Sequence, residues 1–272
     1  MLPGPLVVAH RGSSEEFAEH TLDAYEKAIA DGADALECDV RLTRDGVLVC
    51  VHDRKVNRTS DGRGVVSTLE LAELSELDFA SWKSRPDETL FDEALLADFG
   101  EEVERDRGSV LTLERLVQLV LAAPRRVELH IETKHPTRYG GLVERALVDL
   151  LIRYDLHWPP DRSASLVTVM SFAATSLRRM QTLAPALPTV LLMLRVPLRY
   201  RDGTLPMPVT TAGPSLEILR AHPRFVQRMH NRGHRVHVWT VDEPADIAYV
   251  LSLGVDAVIS NAPKRVLHQL SR

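Results

Sequence analysis

Residues 36–53 read LECDVRLTRDGVLVCVHD, a pattern that predicts a β-hairpin with acidic groups on one face. Strand-like patterns flank Arg44 to Gly46, a polar break ending in glycine that indicates a tight turn, and the returning strand is the apolar run Val47 to Val51. Glu37 and Asp39 are two residues apart, so on a strand their side chains share a face. Because His52 ends the returning run, we expect two carboxylates and an imidazole to converge.

The acidic pair has two interpretations. Glu37 and Asp39 could be ordinary solvent-facing residues of an edge strand. The surrounding sequence favours burial, because the neighbours are apolar: Ala33, Ala35, Leu36, Val40 and Leu42. Buried like charges repel each other and cost several kcal/mol unless a cation or a proton neutralises them. A divalent metal ion is therefore predicted at this strand.

Composition narrows the class of protein. The chain has 272 residues, 44% of them apolar and 26% charged, and no run of about 18 apolar residues that could cross a bilayer. The start, MLPGPLVVAHRG, lacks the pattern of a secretory signal, so a cytoplasmic location is expected. The net charge of −5 argues against nucleic acid as a partner. Cys38 and Cys50 are too few for a disulfide framework and are expected to be reduced and buried.

Strand and helix patterns alternate along the chain. Helices are expected from Thr21 to Gly32, from Thr112, from Ser215 to about Arg232, and from a cap at Asp242 to Gly254. Eight strands are expected to end near His10, Glu37, Glu132, Ser171, Leu194, Ala212, Val241 and Ser260. This rhythm predicts an α/β fold, a (β/α)₈ TIM barrel with its site at the carboxyl ends of the strands.

The loosely patterned segment 54–109 interrupts this rhythm. It is expected to be an insertion after the hairpin within one domain, residues 1–272. Leu71, Leu74 and Leu77 suggest one short helix in it, and Ser84 to Pro86 and Glu101 to Arg107 suggest exposed turns and a solvated charge run.

A set of short motifs at the expected strand ends carries the functional signal. In chain order the motifs are His10-Arg11-Gly12, Glu37-x-Asp39, His52-Asp53, Glu132-x-Lys134, Ser171-Phe172 and Trp239. Over nearly its whole length the chain thereby resembles the glycerophosphodiester phosphodiesterase family. The resemblance implies hydrolysis of a glycerophosphodiester, such as glycerophosphocholine or glycerophosphoethanolamine, to sn-glycerol 3-phosphate and an alcohol. It also implies one divalent cation, Mg²⁺ or Ca²⁺, with Mn²⁺ as a further candidate.

The same resemblance implies a role for each site residue. Glu37, Asp39 and Glu132 would bind the metal, His10 and His52 would be general acid and base, Arg11 and Lys134 would contact phosphate, and Phe172 and Trp239 would line the glycerol side. Two alternatives remain for part of this set: Lys134 could merely pair with Glu132, and the two aromatic residues could be plain barrel packing.

The chain departs from the common family pattern at two places. His20 stands where many members have asparagine, so it either supports the site through one ring nitrogen or alters the pocket. Asn261 stands where an aspartate is common, which removes a carboxylate at the last strand. Other functions stay open: a lyase that makes cyclic phosphates from lysophospholipids, and a non-catalytic binding barrel. The nucleophile is either water or the glycerol 2-hydroxyl.

Overall fold

The computed structural model describes residues 4–83, 107–135, 140–206 and 209–272, which build a closed barrel of eight parallel strands. The first strand pairs with both the second and the last, which closes the sheet and confirms the predicted (β/α)₈ barrel. The strands are β1 (Leu6–His10), β2 (Ala35–Leu42), β3 (Leu48–Cys50), β4 (Glu128–Thr133), β5 (Val167–Ser171), β6 (Thr189–Met193), β7 (Thr211–Pro214), β8 (Arg235–Val238) and β9 (Ala257–Ser260). Strand β3 is the exception, because it pairs antiparallel with β2 outside the closed ring.

Helices cover the outer face of the barrel. They span Leu22–Asp31, Leu71–Ser75, Leu113–Ala122, Leu142–Arg153, Ala174–Leu183, Leu216–Ala221, Phe225–His230, Pro244–Ser252 and Pro263–Gln269. Short 3₁₀ turns span Val56–Arg58, Val66–Thr68, Arg162–Ala164 and Leu198–Tyr200. Within the described ranges, no helix combines the length and apolar character needed to span a bilayer.

The first helix shows how local sequence sets these boundaries. The Thr21 side chain accepts a hydrogen bond from the Ala24 N–H, which satisfies a donor left free by the first turn. Gly32 ends the helix with φ of 100°, a left-handed conformation that glycine adopts without steric cost. Both predicted boundaries are confirmed.

Two predicted helices differ from the structure. Asp242 is not a helix cap, because the helix begins at Pro244 with Glu243 as its N-cap. Proline favours the first helical position, since its missing N–H has no helical partner there. The helix expected from Ser215 to Arg232 is two helices, with a break at His222. Pro223 disfavours helical geometry in the residue before it.

The predicted strand ends are displaced by a few residues. Strand β2 continues past Glu37 to Leu42, because it is prolonged by pairing with β3. Strand β7 ends at Pro214 rather than Ala212. Strand β8 ends at Val238 rather than Val241.

The hairpin of β2 and β3 forms as predicted, with Val40 opposite Cys50 and Leu42 opposite Leu48. Its turn contains Gly46 at φ of 86°. Because β3 ends at Cys50, the position of the His52 ring is not set by strand alternation. The two cysteines are buried and free, as predicted.

Part of segment 54–109 packs against the face of this hairpin that carries Val49 and Val51. Its apolar residues share one cluster with the hairpin: Val49, Val51, Val56, Val66, Leu74, Phe79 and Val110. The predicted short helix is present at Leu71–Ser75. The expected turn at Ser84 to Pro86 and the charge run before Arg107 lie outside the described residues. Arg107 itself is paired rather than solvated, with contacts to Asp23 at 2.7 Å and to Glu26.

Candidate active site

Three buried carboxylates lie together at the carboxyl end of the barrel. Glu37 and Asp39 share the inner face of β2, and the register of the sheet places Glu132 of β4 beside Asp39. One oxygen from each of the three lies within 4.8 Å of the others. The structure thus brings together the acids that the sequence predicted.

Two cations lie directly on this acidic cluster. Arg11 Nε is 2.9 Å from Asp39 Oδ2. Lys134 Nζ is 3.0 Å from Asp39 Oδ1 and 2.8 Å from Glu132 Oε1. Two side-chain cations therefore offset part of the repulsion that led to the prediction of a metal ion. Lys134 pairs with Glu132, as the alternative interpretation had it, but also with Asp39. Three carboxylates nevertheless outnumber the two cations.

The protonation of the acids reflects this imbalance. Burial, reinforced by the charge of Asp39, raises the pKa of Glu132 to about 8. The same two causes raise the pKa of Glu37 well above its usual value. Burial acts in the same direction on Asp39, but the His20 hydrogen bond, Lys134 and Arg11 together hold its pKa well below the usual range. Asp39 is thus the carboxylate that stays charged, and the two glutamates retain protons unless more positive charge is nearby.

The cluster fits a hard divalent cation. Asp39 Oδ1 is buried, and among the described residues its polar contact is the ion pair with Lys134 Nζ at 3.0 Å. Such cations prefer several oxygen ligands, and carboxylates are common among them. The three acids supply oxygen donors from two neighbouring strands.

His20 supports Asp39 from the side of the first loop. Its Nε2 lies 3.0 Å from Asp39 Oδ2, and its Nδ1 lies 2.8 Å from the Tyr25 hydroxyl. That hydroxyl is also 3.0 Å from the carbonyl of Glu37. Support through a ring nitrogen, one of the two possibilities considered for this departure from the family pattern, is what the structure shows.

The His10-Arg11-Gly12 motif turns the chain sharply at the end of β1. Arg11 has φ of 58°, and its N–H donates to Glu37 Oε2 at 3.1 Å. Gly12 has φ of 86°, and a Cβ placed there would lie 2.6 Å from the backbone carbon of Ala24. The turn therefore requires glycine both for its dihedral angle and for its space, and it aims His10 and Arg11 at the carboxylates.

We expect Gly12→Ala to lower the free energy of unfolding by about 2 kcal/mol, because strain and overpacking add at this position. Gly46→Ala is the matched control, since Gly46 has the same φ and nothing lies within 4 Å of a Cβ there. Urea unfolding of both variants measures the two losses. An equal loss in both would mean that the close contact with Ala24 contributes nothing.

The two predicted catalytic histidines are held through their Nδ1 atoms. His10 Nδ1 is 2.7 Å from Asn261 Oδ1, and its Nε2 is 3.9 Å from Glu37 Oε2. Burial, with a smaller contribution from Arg11, lowers the pKa of His10 to about 4. His52 Nδ1 is 2.7 Å from Asp53 Oδ1, and burial lowers its pKa against the opposing charge of Asp39. Both rings are near enough to the cluster for Asp39 and Arg11 to act on their pKa values.

Phe172 and Trp239 meet edge to face, with ring centroids 5.4 Å apart and an interplanar angle of 88°. The Trp239 indole N–H donates to the carbonyl of Gly213 at 2.7 Å. Phe172 is 42% exposed, and Lys134 Nζ lies 6.0 Å from its ring centroid. An aromatic wall beside the charged cluster fits a ligand surface better than plain packing does, and its role stays a prediction.

Arg58 is a residue of the site that the sequence analysis did not identify. It lies in the loosely patterned segment, and it contacts Glu19 Oε1 and Asp53 Oδ2, each at 2.7 Å. Glu19 also contacts Arg11 Nη1 at 3.0 Å. Burial would raise the pKa of Glu19, but the hydrogen bond from Arg58 and the charge of Arg11 lower it to about 2. Arg58 thus links the supports of Arg11 and His52.

Comparisons with known proteins agree with this site. The chain is 45% identical over 265 residues to a Mycobacterium tuberculosis protein named "Probable glycerophosphodiester phosphodiesterase 1", covering 96% of this chain and 90% of the relative. It is 32% identical over 262 residues to a Bacillus subtilis glycerophosphodiester phosphodiesterase, covering 95% and 84%.

The fold is also shared with solved structures. An Oleispira antarctica phosphodiesterase in complex with the product sn-glycerol-3-phosphate superposes with a TM-score of 0.78 at 24% identity, covering 98% of this chain and 97% of that one. The sequence model of the glycerophosphoryl diester phosphodiesterase family matches residues 10–265. The resemblance seen in the motifs is therefore confirmed, and this chain belongs to the glycerophosphoryl diester phosphodiesterase family.

Proposed function

We propose that this protein hydrolyses glycerophosphodiesters, such as glycerophosphocholine or glycerophosphoethanolamine, to sn-glycerol 3-phosphate and an alcohol. The observation that carries the proposal is the buried cluster of Glu37, Asp39 and Glu132, whose oxygens lie within 4.8 Å of one another beside two histidines. The names of the relatives support the same substrate class.

In this proposal the three carboxylates hold one divalent cation, Mg²⁺ or Ca²⁺, with Mn²⁺ as a further candidate. When bound, such an ion withdraws charge from the phosphoryl group. Burial and Asp39 raise the pKa of Glu132, and a cation bound by the three acids would release the proton that Glu132 otherwise retains.

Arg11 and Lys134 are the proposed phosphate contacts. Each is held by acids of the cluster, so both cations are positioned before substrate arrives. A guanidinium binds two phosphate oxygens as a planar fork, and an ammonium acts as a point charge.

His10 and His52 are the proposed proton-transfer groups. One takes a proton from the nucleophile, water or the glycerol 2-hydroxyl, and the other gives a proton to the leaving alkoxide. His10 is uncharged at neutral pH because burial lowers its pKa to about 4, which suits the role of base. Burial lowers the pKa of His52, but its hydrogen bond with the carboxylate of Asp53 opposes this lowering, and this partner makes His52 the better candidate for the acid.

Phe172 and Trp239 are proposed to line the glycerol side of the pocket. Their carbon faces match the apolar edge of a glycerol backbone, and the bond from Trp239 to Gly213 fixes the indole.

A coupled assay that detects glycerol 3-phosphate tests this function with a panel of glycerophosphodiesters, with and without added divalent cations. We expect cation-dependent release of glycerol 3-phosphate from at least one diester. Absence of turnover on every diester with every cation would remove the proposal.

Phosphorus NMR of the same reactions separates the hydrolase from the lyase alternative. A hydrolase accumulates a phosphate monoester, whereas a lyase acting on lysophospholipids accumulates a cyclic phosphate that persists. A non-catalytic barrel would give neither product.

A further inference from the structure

A series of hydrogen bonds connects Asp242 through Asn261 to His10. Asn261 follows strand β9 and Asp242 follows strand β8, so neighbouring strand ends bring them together. Asn261 Nδ2 donates to Asp242 Oδ2 at 2.7 Å, and Asn261 Oδ1 lies 2.7 Å from His10 Nδ1. Nothing in the proposed function assigns a role to Asp242 or Asn261.

The direction of the Asn261 amide is fixed by chemistry. A carboxylate only accepts hydrogen bonds, so the amide must present its NH₂ group to Asp242 and its oxygen to His10. The carboxylate itself is held, because its Oδ1 accepts from the Asn261 backbone N–H at 2.7 Å and from Ser260 Oγ at 2.9 Å. Ser14 Oγ, 2.8 Å from Asn261 Oδ1, faces the same acceptor oxygen.

This direction determines which nitrogen of His10 carries the proton. The amide oxygen is an acceptor, so His10 Nδ1 must be the donor. A neutral imidazole has a single N–H, and therefore Nε2 has the free lone pair. Nε2 is the atom on the carboxylate side, 3.9 Å from Glu37 Oε2. A neutral imidazole in water favours the opposite tautomer, so these contacts select a form that histidine does not favour by itself.

We propose that Asp242 and Asn261 are positioning residues that hold His10 in the Nδ1–H tautomer and direct its Nε2 lone pair at the reacting groups. The proposal deepens the proposed function and rests on it for the identity of the substrate. The tautomer itself depends only on the contacts of the free protein, so it can be measured without substrate.

The test compares Asp242→Asn and Asn261→Ala with wild type in the full chain. Asp242→Asn preserves shape but replaces one of the two carboxylate oxygens by an NH₂ group. Because the Asn261 backbone N–H and Ser260 Oγ hold the remaining oxygen, the NH₂ group faces the Asn261 amide and no longer orients it. Asn261→Ala removes the amide. The matched control is Asp256→Asn at the opposite end of the barrel, where Asp256 Oδ2 accepts from the Val236 N–H at 2.7 Å and lies 2.8 Å from His230 Nε2. ¹⁵N NMR reports the His10 tautomer, assigned by the signal missing from His10→Gln.

We expect the wild-type spectrum to show His10 protonated at Nδ1, and the share of this tautomer to fall in both test variants. Turnover of the best diester should show kcat lowered by about 10- to 100-fold, the usual effect of removing a partner that orients a functional imidazole. KM should stay within about twofold, because binding contacts are intact. Asp256→Asn should match wild type in both readouts.

Three results would overturn the proposal: a wild-type His10 protonated at Nε2, a tautomer unchanged in both variants, or a changed tautomer with unchanged kcat. If wild type turns over no diester, the proposed function is lost, and the NMR comparison still decides the tautomer. If Asp242→Asn does not fold, the wild-type spectrum and Asn261→Ala carry the test.

Discussion

Replacing His10 or His52 by alanine is expected to lower kcat by about 10²- to 10⁴-fold, the usual contribution of a positioned acid or base. KM should change little, because phosphate is bound by other groups in the proposed site. His268→Ala is the control, since His268 is exposed on the last helix. A large rise in KM with unchanged kcat would instead assign the two histidines to substrate binding.

A second substrate separates the two roles. In a nitrophenyl ester of glycerol 3-phosphate the leaving group departs without a proton, so the general acid is not needed. We expect His52→Ala to regain most of its lost activity on this ester, because His52 is the ring paired with a carboxylate, Asp53. His10→Ala should stay impaired on both substrates. The reverse pattern would exchange the two assignments.

The barrel could be predicted because its determinants are local. Thr21 and Gly32 set the ends of one helix through contacts within a turn, and the spacing of Glu37 and Asp39 sets their common face. The parallel barrel then brings strand ends to one rim, and Glu132, which the family resemblance assigned to the cluster, lies there beside Asp39.

The partners of the site residues could not be predicted, because they depend on contacts between distant segments. Asp242 looked like a helix cap, and only the adjacency of two strand ends shows that it holds Asn261. Position 261 lacks the common carboxylate, but the carboxylate of Asp242 contacts the Asn261 side chain directly. Arg58 lies in a loosely patterned segment, so the sequence pattern could not predict its contacts with Glu19 and Asp53.

Divalent cations should stabilise the protein strongly. At about a hundredfold excess over Kd, a ligand that binds only the folded state adds about 2.7 kcal/mol to the free energy of unfolding. Mg²⁺ and Ca²⁺, titrated separately in thermal unfolding, measure the effect. Glu132→Gln removes one proposed ligand and should abolish most of the shift. Glu128→Gln, at the opposite end of the same strand, should retain it.

The stabilisation of the folded protein by divalent cations should also grow between about pH 6 and pH 8.5. Glu132 has a folded pKa of about 8, above its unfolded value, so over this range the folded state binds more protons and loses stability as the pH rises. The cation competes with that proton, so its affinity rises as the proton leaves. If the stabilisation by the cation shrank with rising pH, Glu132 would not be one of its ligands. An unchanged melting temperature with each cation and with a chelator would remove the metal from the site.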